Sequence, residues 1–342
     1  MEKKKNHQAL GMLIVLAAAI IWGGTGVAGE YLINQRGLSS AWITTYRTTL
    51  GGLVMLIILG FRMKGELFEV WKNRKDAIQM IIFGLFGVGF NLYFYMLAVQ
   101  HTNAPTATTL QYLSPTMIVI YTAIRTRKFP SVKEIIAVLC ALGGVFVIST
   151  HGNIHALAIT TTGLIIGLFA AFFLAFYSVF PKHLLSKYGS VYTFAWAQFV
   201  AGILMNIIRC PIWKFSMPTN GVIDMPLILV LAFQLIFGTM VSYCIYLVGV
   251  TMIGPPKASM LSSIEPVATA ALAAILLGTP LVLMDYVGVV LITICIIVLS
   301  IPNRKPAPAV PPEPAAVPAS KPNKPHNDTN APGVSPGAFV SL

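Results

Sequence analysis

Residues 107–115 read Ala-Thr-Thr-Leu-Gln-Tyr-Leu-Ser-Pro, and residues 258–266 read Ala-Ser-Met-Leu-Ser-Ser-Ile-Glu-Pro. Set 151 positions apart, alanine meets alanine, leucine meets leucine and proline meets proline. The same shift carries Gly87 onto Gly238, Tyr95 onto Tyr246, acidic Glu134 onto acidic Asp285, and Ser149 onto Ser300. It holds without a gap from about residue 78 to residue 149. Upstream the register drifts by one, so that Gly11 meets Gly163 and Gly37 meets Gly189 at a shift of 152. One shift kept over several apolar segments is the mark of a duplicated unit.

The medium of that unit follows from composition. The 342 residues are 56% hydrophobic and only 10% charged, whereas a soluble domain carries about 25% charge. Lipid offers a backbone amide no partner, so a span must be a helix of about 20 apolar residues. Spans are expected at 10–33, 40–61, 77–99, 104–125, 132–150, 161–181, 190–210, 226–250, 256–277 and 284–301. The expected fold is an all-α polytopic membrane protein of ten transmembrane helices. Five helices per copy is an odd number, so the second copy enters from the opposite face. The expectation is two inverted five-helix repeats, 10–150 and 151–301, after a cytoplasmic N-terminus of residues 1–9. Residues 302–342 hold half of the 22 prolines, and that composition predicts a disordered Pro/Ala-rich cytoplasmic tail.

The formal net charge of +12 invites a nucleic-acid reading, but the basic residues are spread over short loops between apolar runs. With the N-terminus inside, the inner segments hold Lys3–Lys5, then Arg62, Lys64, Lys72, Arg74 and Lys75, then Arg125, Arg127, Lys128 and Lys133, then Lys182 and Lys187, and Arg304, Lys305, Lys321 and Lys324. The outer segments hold only Arg36, Arg209 and Lys214. This is a positive-inside pattern, which predicts both termini in the cytoplasm and residence in a bacterial inner membrane. Lys3–Lys5 followed by an apolar stretch and Ala17–Ala19 imitates a signal peptide, but the run continues to Ile33, too long for a signal core.

The chain resembles the EamA-type family of the drug/metabolite transporter superfamily. The matching pieces are Trp22-Gly23-Gly24, Tyr46-Arg47, Leu113-Ser114-Pro115 and Ile264-Glu265-Pro266, with Gly288 after the acidic start of the last span. The likeness covers roughly residues 8–301. It implies ten helices, cytoplasmic ends and a central cavity between the halves, and its members commonly export amino acids or other metabolites. Two places depart from the family pattern of Gly-Glu after the fourth and ninth spans. Arg127-Lys128 stand at the first and Gly278-Thr279-Pro280 at the second, so no role of that glutamate carries over.

An ionisable group inside a bilayer costs several kcal/mol unless it is paired or hydrated. Glu265 is therefore the foremost candidate. It lies ten residues into its span, about 15 Å from the start at ~1.5 Å rise per residue. Ser262, Glu265 and Thr269 share one helix face, and Gln111 and Ser114 stand at the equivalent places in the first copy. Two polar stripes in inverted halves would face each other across a cavity. Glu265 is expected to bind a substrate ammonium or a coupled proton; the bland alternative is a structural carboxylate bonded to neighbouring helices. Pro115 and Pro266, read as mid-helix, are expected to act as paired hinges rather than static kinks. Arg47 is expected to pair with Glu30, with a substrate carboxylate as its other option. Lys257 is expected to snorkel to the interface. Trp22, Asn91, Tyr95, Tyr112, Trp196, Gln198, Tyr243 and Tyr246 lie well inside spans. Any one of them suits packing, while together they suit a cavity for a small amphipathic solute.

Other motifs fail on context. Gly24–Gly29 matches GxGxxG, yet it lies inside a span with no strand before it. Those glycines, like Gly163 and Gly167, are expected to let helices approach. His151 and His155 stand four apart in a loop with no carboxylate pattern, so no metal site is expected. Cys140, Cys210, Cys244 and Cys295 are scattered and predict neither a disulfide framework nor zinc. No cofactor is implied. There is no Walker A sequence, and a lone Glu265 without an in-span histidine or a GxSxG disfavours an intramembrane enzyme acting on lipid or peptide. A non-transporting scaffold would leave the mid-membrane carboxylate and the duplicated proline without purpose. The expected function is a secondary transporter exporting an amino acid or related metabolite by alternating access, with a small-molecule substrate, the lipid bilayer and a coupled proton as its partners.

Overall fold

The computed structural model describes residues 2–127, 129–151, 159–208, 211–219, 221–253, 258, 261–262 and 264–300. Among these the structure is helical throughout, with no strand. The α-helices, in chain order, are α1 (Glu2–Glu30), α2 (Ser40–Met63), α3 (Glu69–Lys72), α4 (Arg74–Ile82), α5 (Phe90–His101), α6 (Ala104–Gln111), α7 (Ser114–Thr126), α8 (Val132–Thr150), α9 (Thr161–Val179), α10 (Lys182–Tyr188), α11 (Ser190–Ile208), α12 (Met225–Leu235), α13 (Ser242–Ile253), α14 (Glu265–Leu277) and α15 (Leu283–Ser300). Wider π turns at Phe83–Gly89 and Ile236–Val241 join α4 to α5 and α12 to α13 into single long rods.

Among the described residues, six segments are long and apolar enough to cross a bilayer: Gln8–Gln35, Ser40–Met63, Arg74–His101, Thr161–Val179, Ser190–Ile208 and Met225–Val250. Large apolar side chains such as Leu139, Leu142, Ile275 and Leu276 point outward and remain exposed. Water would penalise such a surface and lipid would not, so this is a multi-pass membrane protein.

The fourth and ninth expected spans need correction, because neither is one continuous helix. The fourth breaks at Tyr112 and Leu113, where the ladder shortens to Leu113 N–H donating to Leu110 O at 3.1 Å. The ninth has the same shortened turn, Ile264 N–H donating to Leu261 O at 3.3 Å. Pro115 and Pro266 therefore do not interrupt a helix interior. Each sits in the first turn of a new half-helix, where its missing N–H is not needed. Lys257, Cys210, His155 and the tail at 302–342 lie outside the described residues.

Local conformation repeats along with the sequence. Asn73 and Asp224, 151 apart, both cap helix N-termini, accepting from Lys75 N at 3.0 Å and Leu227 N at 3.1 Å. Arg127 and Gly278, again 151 apart, end α7 and α14 in the left-handed conformation, with φ of 53° and 63°. Glu134 and Asp285 accept the amides three residues before them, from Ser131 N at 2.6 Å and Val282 N at 3.0 Å. Contacts between the halves are reciprocal as well. The pairing of α1 with α13 matches that of α9 with α5, and α1 on α14 matches α9 on α6 and α7. The helices α2 and α11, and α8 and α15, pack on their own counterparts. Exchange of this kind is what a two-fold relation between two copies produces.

The α2–α11 contact is the closest of these. A Cβ at Gly52 would stand 2.4 Å from the backbone nitrogen of Phe199, and a Cβ at Gly202 would stand 2.6 Å from the Cα of Thr49. These two glycines are again equivalent, 150 residues apart, and each opens the groove that the other backbone fills. Two polar clusters also link the halves. Arg36 grips Asp224 with two hydrogen bonds, at 2.7 and 2.9 Å. Asp76, 2% exposed, accepts from Lys187 Nζ at 2.6 Å and Tyr188 at 2.7 Å and meets His183 at 3.0 Å. The hydrogen bond to Asp76 pushes the Lys187 ammonium up to about 12.

Gly52→Ala and Gly202→Ala should each destabilise the protein by about 1–3 kcal/mol through overpacking against backbone. Gly143→Ala, which meets nothing within 4 Å, should be neutral or slightly stabilising; thermal unfolding in detergent reads the difference. The Arg36 guanidinium holds the Asp224 carboxyl below its ordinary value of 3.8. A depressed carboxyl gives its stabilisation above the unfolded-state pKa and loses it as pH falls through the folded-state value. Asp224→Asn should therefore flatten the acid limb of Tm against pH, and an unchanged limb would contradict the pairing.

Candidate functional site

A cavity of about 370 Å³ opens between the two copies. The two half-helix breaks lie at its edge, and much of its lining comes in equivalent pairs. At the shift of 151, Val88 falls on Thr239, Leu92 on Tyr243, Tyr95 on Tyr246, Gln111 on Ser262 and Ser114 on Glu265; all of these line the cavity, as do Arg47 and Gln198. At 152, Trp22 falls on Leu174 and Thr25 on Tyr177, which line it too. The cavity therefore straddles the relation between the copies, which accounts for its lining by polar side chains from both.

The charge does not follow the pairing. Glu265 comes from the second copy, where the first has Ser114. Arg47 comes from the first copy, and among the described residues the second contributes no cation to the lining. Glu265 is the first residue of α14 and sits beside the break. Its Oε2 accepts a 2.7 Å hydrogen bond from the Tyr112 hydroxyl. Tyr112 occupies the break of the first copy, so this bond joins one interrupted helix to the other. The same hydroxyl lies 3.5 Å from Ser262 O. Thr269 turns back to Glu265 O at 2.9 Å.

Arg47 corrects the expected pairing with Glu30. Its Nη2 donates to Gly238 O at 3.2 Å and its Nε to Thr239 Oγ1 at 3.4 Å. Glu30 instead accepts from Ala104 N at 2.8 Å and Thr279 Oγ1 at 3.0 Å, so its charge is spent capping α6 and fastening the end of α14. No carboxylate among the described residues pairs with Arg47. A guanidinium 5% exposed and held only by neutral acceptors is costly at membrane depth, on the order of 3 kcal/mol or more. Its exposed edge faces the cavity, where water or an anion relieves that cost.

The rest of the lining is polar and aromatic. Gln111 donates to Asn91 at 2.9 Å, Tyr95 and Thr108 share a hydroxyl bond of 2.9 Å, and Tyr246 hydrogen-bonds Ser262. Trp22 packs against Tyr243 and Tyr246 with ring centroids 5.1 and 5.0 Å away, and Tyr243 stacks on Phe194 at 4.0 Å. Of the expected site residues, Glu265, Gln111, Ser114, Ser262, Tyr95, Asn91, Tyr112, Tyr246, Trp22, Arg47 and Pro115 line the cavity.

Three residues lie elsewhere. Trp196 packs between Phe68 and Trp71 and donates to Leu67 O at 2.8 Å, which makes it an anchor for the connector after α2. Thr269 is fully buried, close to the Gly23 position on α1. Pro266 is buried just behind Glu265. Thr25, Tyr177, Ser178, Phe194 and Thr239 also line the cavity and were not singled out from sequence. The 151–152 shift was the signal that could have found Tyr177 from Thr25.

Residues 9–150 and 161–301 each match the EamA-like transporter family. A Salmonella typhimurium protein named as the uncharacterized inner membrane transporter YicL is 36% identical over 297 residues, covering 87% of this chain and 97% of its own. The uncharacterized transporter YyaM of Bacillus subtilis is 24% identical over 294 residues, covering 84% and 92%. A solved crystal structure aligns with a TM-score of 0.55 at 16% identity, over 85% of this chain and 96% of that one, a likeness of fold alone.

The Tyr112–Glu265 bond should contribute about 2 kcal/mol, as hydrogen bonds to charged groups do. Tyr112→Phe should lower Tm in detergent, and should lower it less in a Glu265→Gln background, where the partner is neutral. Equal losses in both backgrounds would mean that the charge is not what holds Tyr112.

Proposed function

Because this chain belongs to the EamA-like transporter family, we propose that it is a secondary transporter moving a small zwitterionic metabolite, an amino acid or related compound, outward across a bacterial inner membrane. The observation that carries this reading is one cavity lined by a half-buried carboxylate and a buried guanidinium that do not pair with each other. Arg47 offers two-pronged hydrogen bonding to a substrate carboxylate. Glu265 offers a counter-charge to the ammonium, or takes the coupled proton. Gln111, Asn91, Ser114 and Ser262 supply neutral bonds beside the charges, and the rings of Trp22, Tyr95, Tyr112 and Tyr246 supply apolar faces. About 370 Å³ is the scale of a small-solute site.

The mechanism proposed is alternating access between two inverted five-helix repeats, ten helices in all, with both termini in the cytoplasm. The breaks before Pro115 and Pro266 serve as hinges, since interrupted helices at the repeat interface let each half rock about a fixed site. Tyr112 ties the two breaks together, so movement at one is felt at the other.

Counterflow in proteoliposomes across an amino-acid panel, with and without a pH gradient, tests this. The wild type should exchange at least one zwitterion. Glu265→Gln should lower exchange at least about tenfold, the effect of removing one charge-assisted contact, and should abolish any dependence on the gradient. In the same assay, Pro115→Ala with Pro266→Ala should slow turnover. Normal exchange by folded Glu265→Gln at every pH would rule out its assigned role.

A further inference from the structure

The cavity holds two polar atoms that its described partners leave unmet. The side-chain oxygen of Gln198 and the indole nitrogen of Trp22 are buried and find no hydrogen-bond partner, and both residues line the cavity. Gln198 is 1% exposed. An interchange of its amide oxygen and nitrogen would leave the same position unmet, with donor in place of acceptor. Gln234, the other buried glutamine with an unmet oxygen, is different. It donates to Thr25 O at 2.8 Å and does not line the cavity.

The two unmet atoms belong to one wall. Trp22 lies against Tyr243, Tyr243 stacks on Phe194 at 4.0 Å, and Phe194 stands one helical turn before Gln198 on α11. That wall is otherwise aromatic. Gln198 and the Arg47 guanidinium line the same cavity. Buried polar groups in folded proteins are almost always satisfied, and these two, closed to solvent on residues that line the cavity, are satisfied when their side chains turn toward what enters it. A purely hydrocarbon side chain would offer these atoms no bond.

We propose that Gln198 and the Trp22 indole N–H form a neutral hydrogen-bonding subsite, so that the transported solute carries an uncharged hydroxyl or carboxamide in addition to its charged ends. This rests on the zwitterion-transport reading and narrows it. Arg47 and Glu265 read the features common to all amino acids, and the Gln198 wall reads the side chain. A site built to bond a hydroxyl or amide discriminates strongly against an isostere that lacks it.

The test uses shape-matched pairs in the counterflow assay on full-length protein: threonine against valine, and asparagine against leucine. Wild type should favour the hydrogen-bonding member of each pair. Gln198→Leu should reduce that preference by about tenfold, the size of one unmet buried hydrogen bond. Trp22→Phe, which keeps the ring and removes only the N–H, should reduce it in the same direction. If Gln198→Leu does not elute as a folded species, Trp22→Phe decides alone. Exchange of these amino acids with no preference within pairs, or a preference that survives the substitutions in folded protein, overturns the subsite and leaves the transport reading standing. If wild type exchanges no member of a broad panel, the transport reading fails and the subsite falls with it.

Discussion

The hydrogen bond from Tyr112 to Glu265 is the contact on which the rest of the site depends. It runs 2.7 Å from the break in one copy's helix to the first residue past the break in the other's. Without a partner, a carboxylate at this depth would be driven to protonate or to turn away. Each break is followed at once by a proline in the first turn of the new half-helix, where a missing N–H is tolerated. One tyrosine hydroxyl reaches two groups beside the second break: it bonds the carboxylate and lies 3.5 Å from Ser262 O.

Duplication explains where the cavity is, and the loss of symmetry explains what it can do. Two copies related by exchange bring equivalent residues into one lining, as Tyr95 and Tyr246 show. A perfectly repeated site would carry like charges facing each other or none. Here, among the described residues, one copy alone lends the lining a cation, Arg47, the other keeps Glu265 where the first has Ser114, and Gln198 adds a neutral polar group. The result is a site with a cationic, an anionic and a neutral station. It balances in charge as a zwitterion does, and a site that balances its ligand avoids leaving a net charge buried in lipid.

Sequence made much of this legible, and its silences have physical causes. The repeat was visible because glycine, proline and acidic caps hold positions that geometry enforces. Asn73 and Asp224 cap, and Arg127 and Gly278 turn left-handed, at the same shift. Glu265 was visible because charge in an apolar run is conspicuous. The split of the fourth and ninth spans was not, because a proline preceded by helix formers fits either a kinked interior or a fresh first turn. The Arg47–Glu30 pairing failed because proximity along two helices ignores competing donors, and the open N-terminus of α6 had first claim on Glu30. Trp196 was misplaced because an aromatic in an apolar helix carries no sign of which face meets the cavity. Its ring went to Phe68 and Trp71 on the connector.

The account stands on the carboxylate facing a water-filled space that each side of the membrane reaches in turn. The most direct measurement is sided labelling of Ser262→Cys, in a background lacking the four native cysteines, by a membrane-impermeant thiol reagent applied to right-side-out and inside-out vesicles. The predicted result is labelling from both sides, with an exchanged solute slowing both. Labelling by lipid-soluble reagents alone would place this face against the bilayer and contradict the central claim.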